Sequence, residues 1–245
     1  MFLHRTHSTV LVLLHGWGLS GDVLTPLASR LSELGYRTLS PDLPGFGSSA
    51  APSAPFMLAD YGRFLREYLK EKKIHNPILI GHSFGGRLCL KYTELYPKDV
   101  RGIILTGTPG FSPIPKKKLI LFMTLAKIGK LLFSLPPLSL FQESVRNWYY
   151  YLIGVTDFFR AKGPMRDTFK RVVQEDLTGA MENISVPCLL VWGEFDLIVP
   201  ATIAHRMEHL IPEAKLIILP GGDHGVPYKR AGEFAAFTDR FIRTL

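Results

Sequence analysis

Short β-rich apolar runs, each closing on a turn and handing over to a segment of helical spacing, recur along this chain and constrain its fold more than any other feature. Residues 9–14 form the first run, which ends in Gly16-Trp17-Gly18; residues 23–34 then carry apolar side chains at helical spacing and stop at Gly35. A second strand is predicted over 36–40, closed by Pro41-Asp42-Leu43-Pro44-Gly45. Asp60 reads as the N-cap of a helix over 61–72, in which Tyr61, Phe64, Leu65, Tyr68 and Leu69 make one stripe. Residues 77–80 make a third strand, followed by a helix over 85–96, and 102–106, 187–192 and 215–219 complete six. Nearly continuous apolar strands alternating with helices imply a mostly parallel sheet covered on both faces, an α/β three-layer sandwich.

Residues 111–183 break the rhythm. They hold helix-like pieces over 116–133, 142–153 and 164–176, cut by Pro136-Pro137 and Gly163-Pro164, and read as a helical cap inserted after the fourth strand. The expected division is a core of 1–110 and 184–245 and a cap of 111–183. With 47% hydrophobic and 20% charged residues the chain can bury a core, which excludes disorder.

A formal net charge of +8 raises nucleic acid or an anionic membrane surface as partner. The basic residues are spread along the chain, however, and the local run in 114–133 sits among apolar side chains, so no nucleic-acid partner is expected. Cys89 and Cys188 cannot build a disulfide framework and have the neighbours of small buried hydrophobes; no metal and no cofactor are expected. The N-terminus lacks the pattern of a secretory leader and no run is long and apolar enough for a spanning helix, so the expected location is cytoplasmic.

Gly81-His82-Ser83-Phe84-Gly85-Gly86 lies between a predicted strand and a predicted helix. A serine exposed on so tight a turn needs neighbours without Cβ, which Gly81, Gly85 and Gly86 supply; a glycine-rich turn with a capping serine is the plainer alternative. A serine nucleophile also needs a base and an orienting carboxylate, which in this architecture follow in the order serine, acid, histidine. Asp196 lies just past the fifth strand and His224 just past the sixth, so loops at one rim of the sheet would bring Ser83, Asp196 and His224 together. Glu194 is a weaker acid candidate and Asp223 is expected to shape the turn. His4, His7, His75, His205 and His209 read as solvated, and His82 as a variable position of the turn. His15-Gly16-Trp17-Gly18 follows the first strand, and the backbone N–H groups of Trp17 and Phe84 are the expected oxyanion donors.

With Asp42-Leu43-Pro44-Gly45-Phe46-Gly47-Ser48-Ser49 between them, these motifs stand in an order that resembles the α/β-hydrolase superfamily, specifically its small capped esterases, lactonases and C–C hydrolases. The resemblance covers the whole chain. It implies an eight-stranded, mostly parallel sheet, a helical cap and cofactor-free hydrolysis, although the few residues before His15 leave the N-terminal hairpin missing or reduced. Ser83 stands where dehalogenases and epoxide hydrolases carry aspartate, and only Tyr228 follows His224 where C–C hydrolases carry an aromatic residue. Arg87 resembles the arginine of a menaquinone-pathway lyase, but helix solvation or a salt bridge explains it more simply.

The predicted pocket is walled by Trp17, Phe84, Val199 and Val226 and roofed from the cap by Phe122 and Met123. The function expected is hydrolysis of carboxylic esters or lactones of small to medium hydrophobic substrates through an acyl-enzyme, by a monomer or dimer, with weak lipid contact through the basic cap helix. The alternatives are a C–C hydrolase or lyase using the same triad and, outside enzymes, a hydrolase-like ligand-binding protein.

Overall fold

A computed structural model describes residues 9–112 and 163–245. Among these, six strands run parallel in the order β2-β1-β3-β4-β5-β6: β1 (Val10–Leu14), β2 (Arg37–Leu39), β3 (Ile78–His82), β4 (Gly102–Thr106), β5 (Cys188–Gly193) and β6 (Lys215–Leu219). The helices are α1 (Thr25–Glu33), α2 (Leu58–Glu71), α3 (Phe84–Leu95), α4 (Pro164–Gln174), α5 (Thr178–Glu182), α6 (Ala201–Leu210), α7 (Val226–Lys229) and α8 (Ala231–Ile242).

The predicted apolar strands are buried on both faces because successive side chains alternate. In β1, Val12 and Leu14 join the cluster under α2, α3 and α6, while Leu11 and Leu13 join the cluster under α1 and α8. Among the described residues six strands stand where the resemblance implies eight; residues 1–8 lie outside the described residues, and the three-residue β2, with Arg37 exposed, forms the edge of the sheet.

Two expectations change. Helix α2 starts at Leu58, which is fully buried, so Asp60 is not the N-cap but the third helical residue; its carboxylate accepts the Met57 N–H at 2.7 Å, one half of a capping box. Part of the expected cap is also packed into the core. Met165 and Val172 of α4, Leu177 at the N-cap of α5, and Ala180 and Met181 of α5 belong to the same buried cluster as Leu14 and Phe84. Residues 113–162, which include the predicted helices over 116–133 and 142–153, lie outside the described residues.

Strand order reverses between β1 and β3, and at such a point the loops beyond the strands' C-terminal ends diverge and leave a crevice. The His15 loop and the Ser83 turn flank it from either side.

Candidate active site

Ser83 joins β3 to α3 with φ 53° and ψ −111°, a left-handed backbone that a non-glycine residue adopts only under strong constraint. The constraint is visible. Its N–H donates to the Thr106 carbonyl of β4 at 2.9 Å, and its own carbonyl accepts Gly86 N–H at 3.0 Å. A methyl on Gly85 would run into the Leu14 carbonyl, and one on Gly86 into the Thr108 hydroxyl. The predicted need for side chains without Cβ is therefore a matter of backbone clearance between α3 and the strands. Ser83 itself is half-buried at the rim.

Asp196 is held from three directions. Its Oδ1 accepts the N–H of Ile198 at 2.9 Å and of Val199 at 2.8 Å, and its Oδ2 accepts Nδ1–H of His224 at 2.8 Å. The carboxylate is 1% exposed and the imidazole 15%, so the pair is shielded, the imidazole less than the carboxylate. This bond fixes His224 with Nδ1 protonated and leaves Nε2 as a lone pair. The His224 ring packs against His82, the residue before Ser83, at a centroid distance of 4.7 Å and against Gly107, one residue beyond Thr106. No hydrogen bond joins Ser83 Oγ to His224 among the described residues; such bonds commonly tighten only with substrate in place.

The rival carboxylates point elsewhere. Glu194 accepts Gly221 N–H at 2.9 Å, and Asp223 accepts Gly225 N–H at 2.8 Å while pairing with Lys229.

The loop after β1 is built on His15, which is fully buried. Its Nδ1–H donates to the Gly16 carbonyl at 2.8 Å and its Nε2 accepts Leu43 N–H at 3.0 Å, which ties the β1 loop to the β2 loop. Burial lowers its pKa and keeps it neutral, as the lone pair facing Leu43 requires. Asp42 continues the network by accepting Gly21 N–H at 2.7 Å and both N–H and O–H of Ser48 at 2.8 Å; those bonds, the Ser48 N–H first, hold its carboxyl below the ordinary range. Trp17 is thereby carried on a braced loop. Phe84 N–H is the first of α3 and has no intrahelical acceptor, so Trp17 and Phe84 border the crevice from opposite sides of the β1/β3 junction.

The Trp17 ring meets Phe46 at 4.8 Å, Phe84 at 5.2 Å and Phe169 of α4 at 5.0 Å, all edge-on. Phe46 and Phe169 were not singled out by sequence reasoning: neither lies in a catalytic turn, and Phe169 sits in a helix whose docking no periodicity reveals.

Of the other predicted pocket residues, Val199 is buried and serves the Asp196 loop, its carbonyl accepting the Trp192 indole N–H at 2.7 Å. Val226 is 1% exposed and is enclosed with Leu219, Ala231 and Phe234 in the core beneath α1 and α8, so it packs there instead of facing the rim. Phe122 and Met123 lie outside the described residues.

Arg87 also differs from expectation. It is 2% exposed, so helix solvation does not account for it; its guanidinium donates to the carbonyls of Pro109 and Glu175 and clamps the chain on both sides of the insertion to α3. Its pKa is pushed down to about 10 by burial, with Glu175 and Asp176 opposing. His75, His205 and His209 are exposed as expected, and both cysteines are buried free thiols. His82 is not a solvated or indifferent position: it is 2% exposed and its Nε2–H donates to the His224 carbonyl at 3.0 Å. A polar residue closing a wholly buried strand must find a partner, and that was the available signal.

A family model described as the alpha/beta hydrolase family matches residues 11–237. The chain is 27% identical to Lipase 1 of Psychrobacter immobilis, covering 96% of this chain and 77% of that protein. It is 28% identical to the pimeloyl-[acyl-carrier protein] methyl ester esterase of Shewanella woodyi, covering 91% and 90%. In fold it resembles a bromoperoxidase from Bacillus anthracis (TM-score 0.74, 23% identity, 97% and 92% covered) and an esterase from Exiguobacterium antarcticum (0.73, 21%, 97% and 93%).

Proposed function

The chain belongs to the alpha/beta hydrolase family, and on that premise we propose that it is a serine hydrolase of carboxylic esters or lactones with small to medium hydrophobic acyl groups, working through Ser83, His224 and Asp196. The observation that carries the reading is the shielded 2.8 Å Asp196–His224 pair, set beside a serine held on a left-handed strand-to-helix turn. Ester-cleaving relatives of both lipase and methyl ester esterase type support the same bond class.

Ser83 Oγ attacks the carbonyl carbon while His224 Nε2 takes its proton; Asp196 stabilises the resulting imidazolium through Nδ1–H. The oxyanion is received by the N–H groups of Trp17 and Phe84. Collapse of the tetrahedral intermediate breaks the ester bond, and His224 returns the proton to the leaving oxygen. Water then repeats the sequence on the acyl-enzyme and releases the acid. The aromatic wall of Trp17, Phe46, Phe84 and Phe169 is suited to an apolar acyl group.

The lyase alternative loses its main support, because Arg87 is enclosed and engaged with main-chain carbonyls. A panel of p-nitrophenyl esters of increasing acyl length, run with the parent and Ser83→Ala, tests the proposal. Turnover should depend on Ser83 and peak at an intermediate chain length. Turnover that survives Ser83→Ala would remove the triad from the reading, and no turnover on any ester or lactone would return the binding-protein alternative.

A further inference from the structure

His82 precedes the nucleophile yet points away from solvent, into the seam where three loops of the rim meet. Its Nε2 lies 3.0 Å from the His224 carbonyl, an atom that can only accept, so Nε2 carries the proton. Its Nδ1 is then a lone pair, buried and without a partner among the described residues. That lone pair faces the loop after β1: a methyl on Gly16 would sit 3.1 Å from it. The ring packs against His224 at 4.7 Å and edge-on against Tyr228 of α7 at 5.7 Å.

We infer that His82 is a positioning residue for the reaction: it grips the main chain of His224 from the nucleophile's own turn, so that the base is fixed at its ring by Asp196 and at its backbone by His82. The inference rests on the triad reading above. Asp196 holds the His224 ring alone; among the described residues the loop after β6 is tied through the neighbours of His224, as by Phe195 N–H to Gly222 O at 2.7 Å and Gly221 N–H to Glu194 at 2.9 Å, while His82 bonds the His224 carbonyl itself. The His82 bond makes the Ser83 turn and the His224 loop one unit, which is what a proton transfer between them requires.

His82 must also stay neutral. The titratable groups facing it are His224 and Asp196, His15 from the β1 loop and Tyr228 from α7. A proton on Nδ1 would face no acceptor among the described residues and would place a cation against the proposed base. Burial, with His224 beside it, lowers its pKa to about 3.

Two variants separate positioning from packing. His82→Phe fills the volume without a donor, whereas the amide nitrogen of His82→Gln can reach where Nε2 stands. On the best p-nitrophenyl ester, His82→Phe should lower kcat at least about tenfold with KM within about twofold, and His82→Gln should recover a third or more of the parent kcat. Fluorophosphonate labelling of Ser83 should slow in parallel. A folded His82→Phe with parent kcat, or a His82→Gln as impaired as His82→Phe, would overturn the inference.

Imidazole nitrogen NMR on the parent, assigned by loss of one signal set in His82→Gln, gives a readout independent of turnover and of whether His82→Phe folds. One neutral histidine with its proton on Nε2 from pH 5 to 8 is the expected result; an Nδ1–H tautomer or protonation within that range would overturn the inference. Ser83→Ala and His224→Ala run alongside keep the two readings apart. Turnover retained in those variants removes the triad, whereas a dead triad variant beside an unaffected His82→Phe removes only the role of His82.

Discussion

Gly107 offers the sharpest test of where the base sits. It follows β4 at φ +56°, and a methyl built on it would lie 2.7 Å from Cε1 and 2.8 Å from Nδ1 of His224. Carbon contacts settle at about 3.5–4.0 Å, so Gly107→Ala pushes the imidazole by roughly 1 Å. A displacement of that size at a reacting group costs about 10²-fold in rate, or about 2.7 kcal/mol of transition-state stabilisation. The left-handed backbone adds about 1–3 kcal/mol of folding instability for any residue with a Cβ. Gly163 separates the two effects, because it has φ +54° and, among the described residues, nothing within 4 Å of an added methyl. Gly163→Ala should therefore lose stability and keep its turnover, while Gly107→Ala loses both. Urea midpoints report the first quantity and kcat/KM on a p-nitrophenyl ester the second, with circular dichroism confirming the fold of each. Equal turnover in the two variants would refute the placement of His224 against β4.

Acid should weaken the fold through its buried imidazoles. Between an unfolded pKa of 6.5 and a folded value of about 3, the unfolded chain binds a proton at His82 that the folded chain does not, so stability falls as pH falls, by about 2 kcal/mol at pH 5 relative to neutrality. His15 acts in the same direction, and the loss should appear as a lower urea midpoint at pH 5 than at pH 7, smaller in His82→Gln. Arg87→Met strands the Pro109 and Glu175 carbonyls, at about 1–3 kcal/mol each, so unfolding free energy should drop by on the order of 3 kcal/mol while kcat moves little; urea titration and ester kinetics check both. Phe169→Ala removes one edge of the aromatic wall and should raise KM several-fold for the best acyl chain while sparing acetate esters, read from the chain-length profile.

What the sequence made legible is what depends on spacing along the chain. The strands appear at their predicted places within two residues because an apolar run between turns has few other uses in a parallel sheet. Ser83, Asp196 and His224 could be proposed for a related reason: each lies in the turn or loop just past a strand, and parallel strands deliver those loops to one rim. The start of α2 was misplaced because the apolar stripe begins at Tyr61, whereas the helix begins where Leu58 finds the core. Residues 163–183 were read with the cap because they contain no strand; Met165, Val172 and Met181 among them join the buried cluster, and a helix's own apolar pattern does not say which cluster it joins.

His82, Arg87 and Val226 share a different cause. Each belongs to a segment whose role was inferred from its neighbours: His82 from the proposed nucleophile after it, Arg87 from its place four residues beyond, Val226 from the proposed catalytic histidine before it. Chain proximity to a site says little about which way a side chain points, and on a helix or at a strand end the directions available include the core. A physical rule would have served better. In β3 every residue is buried, so His82 had to be a polar group enclosed, and an enclosed imidazole survives only with a hydrogen-bond partner and without a charge. The surrounding loops limit that partner to the rim, and the first acceptor there is the backbone of the residue proposed as the base. The histidine that motif matching treats as interchangeable is thus the one whose burial ties the two halves of the candidate site together.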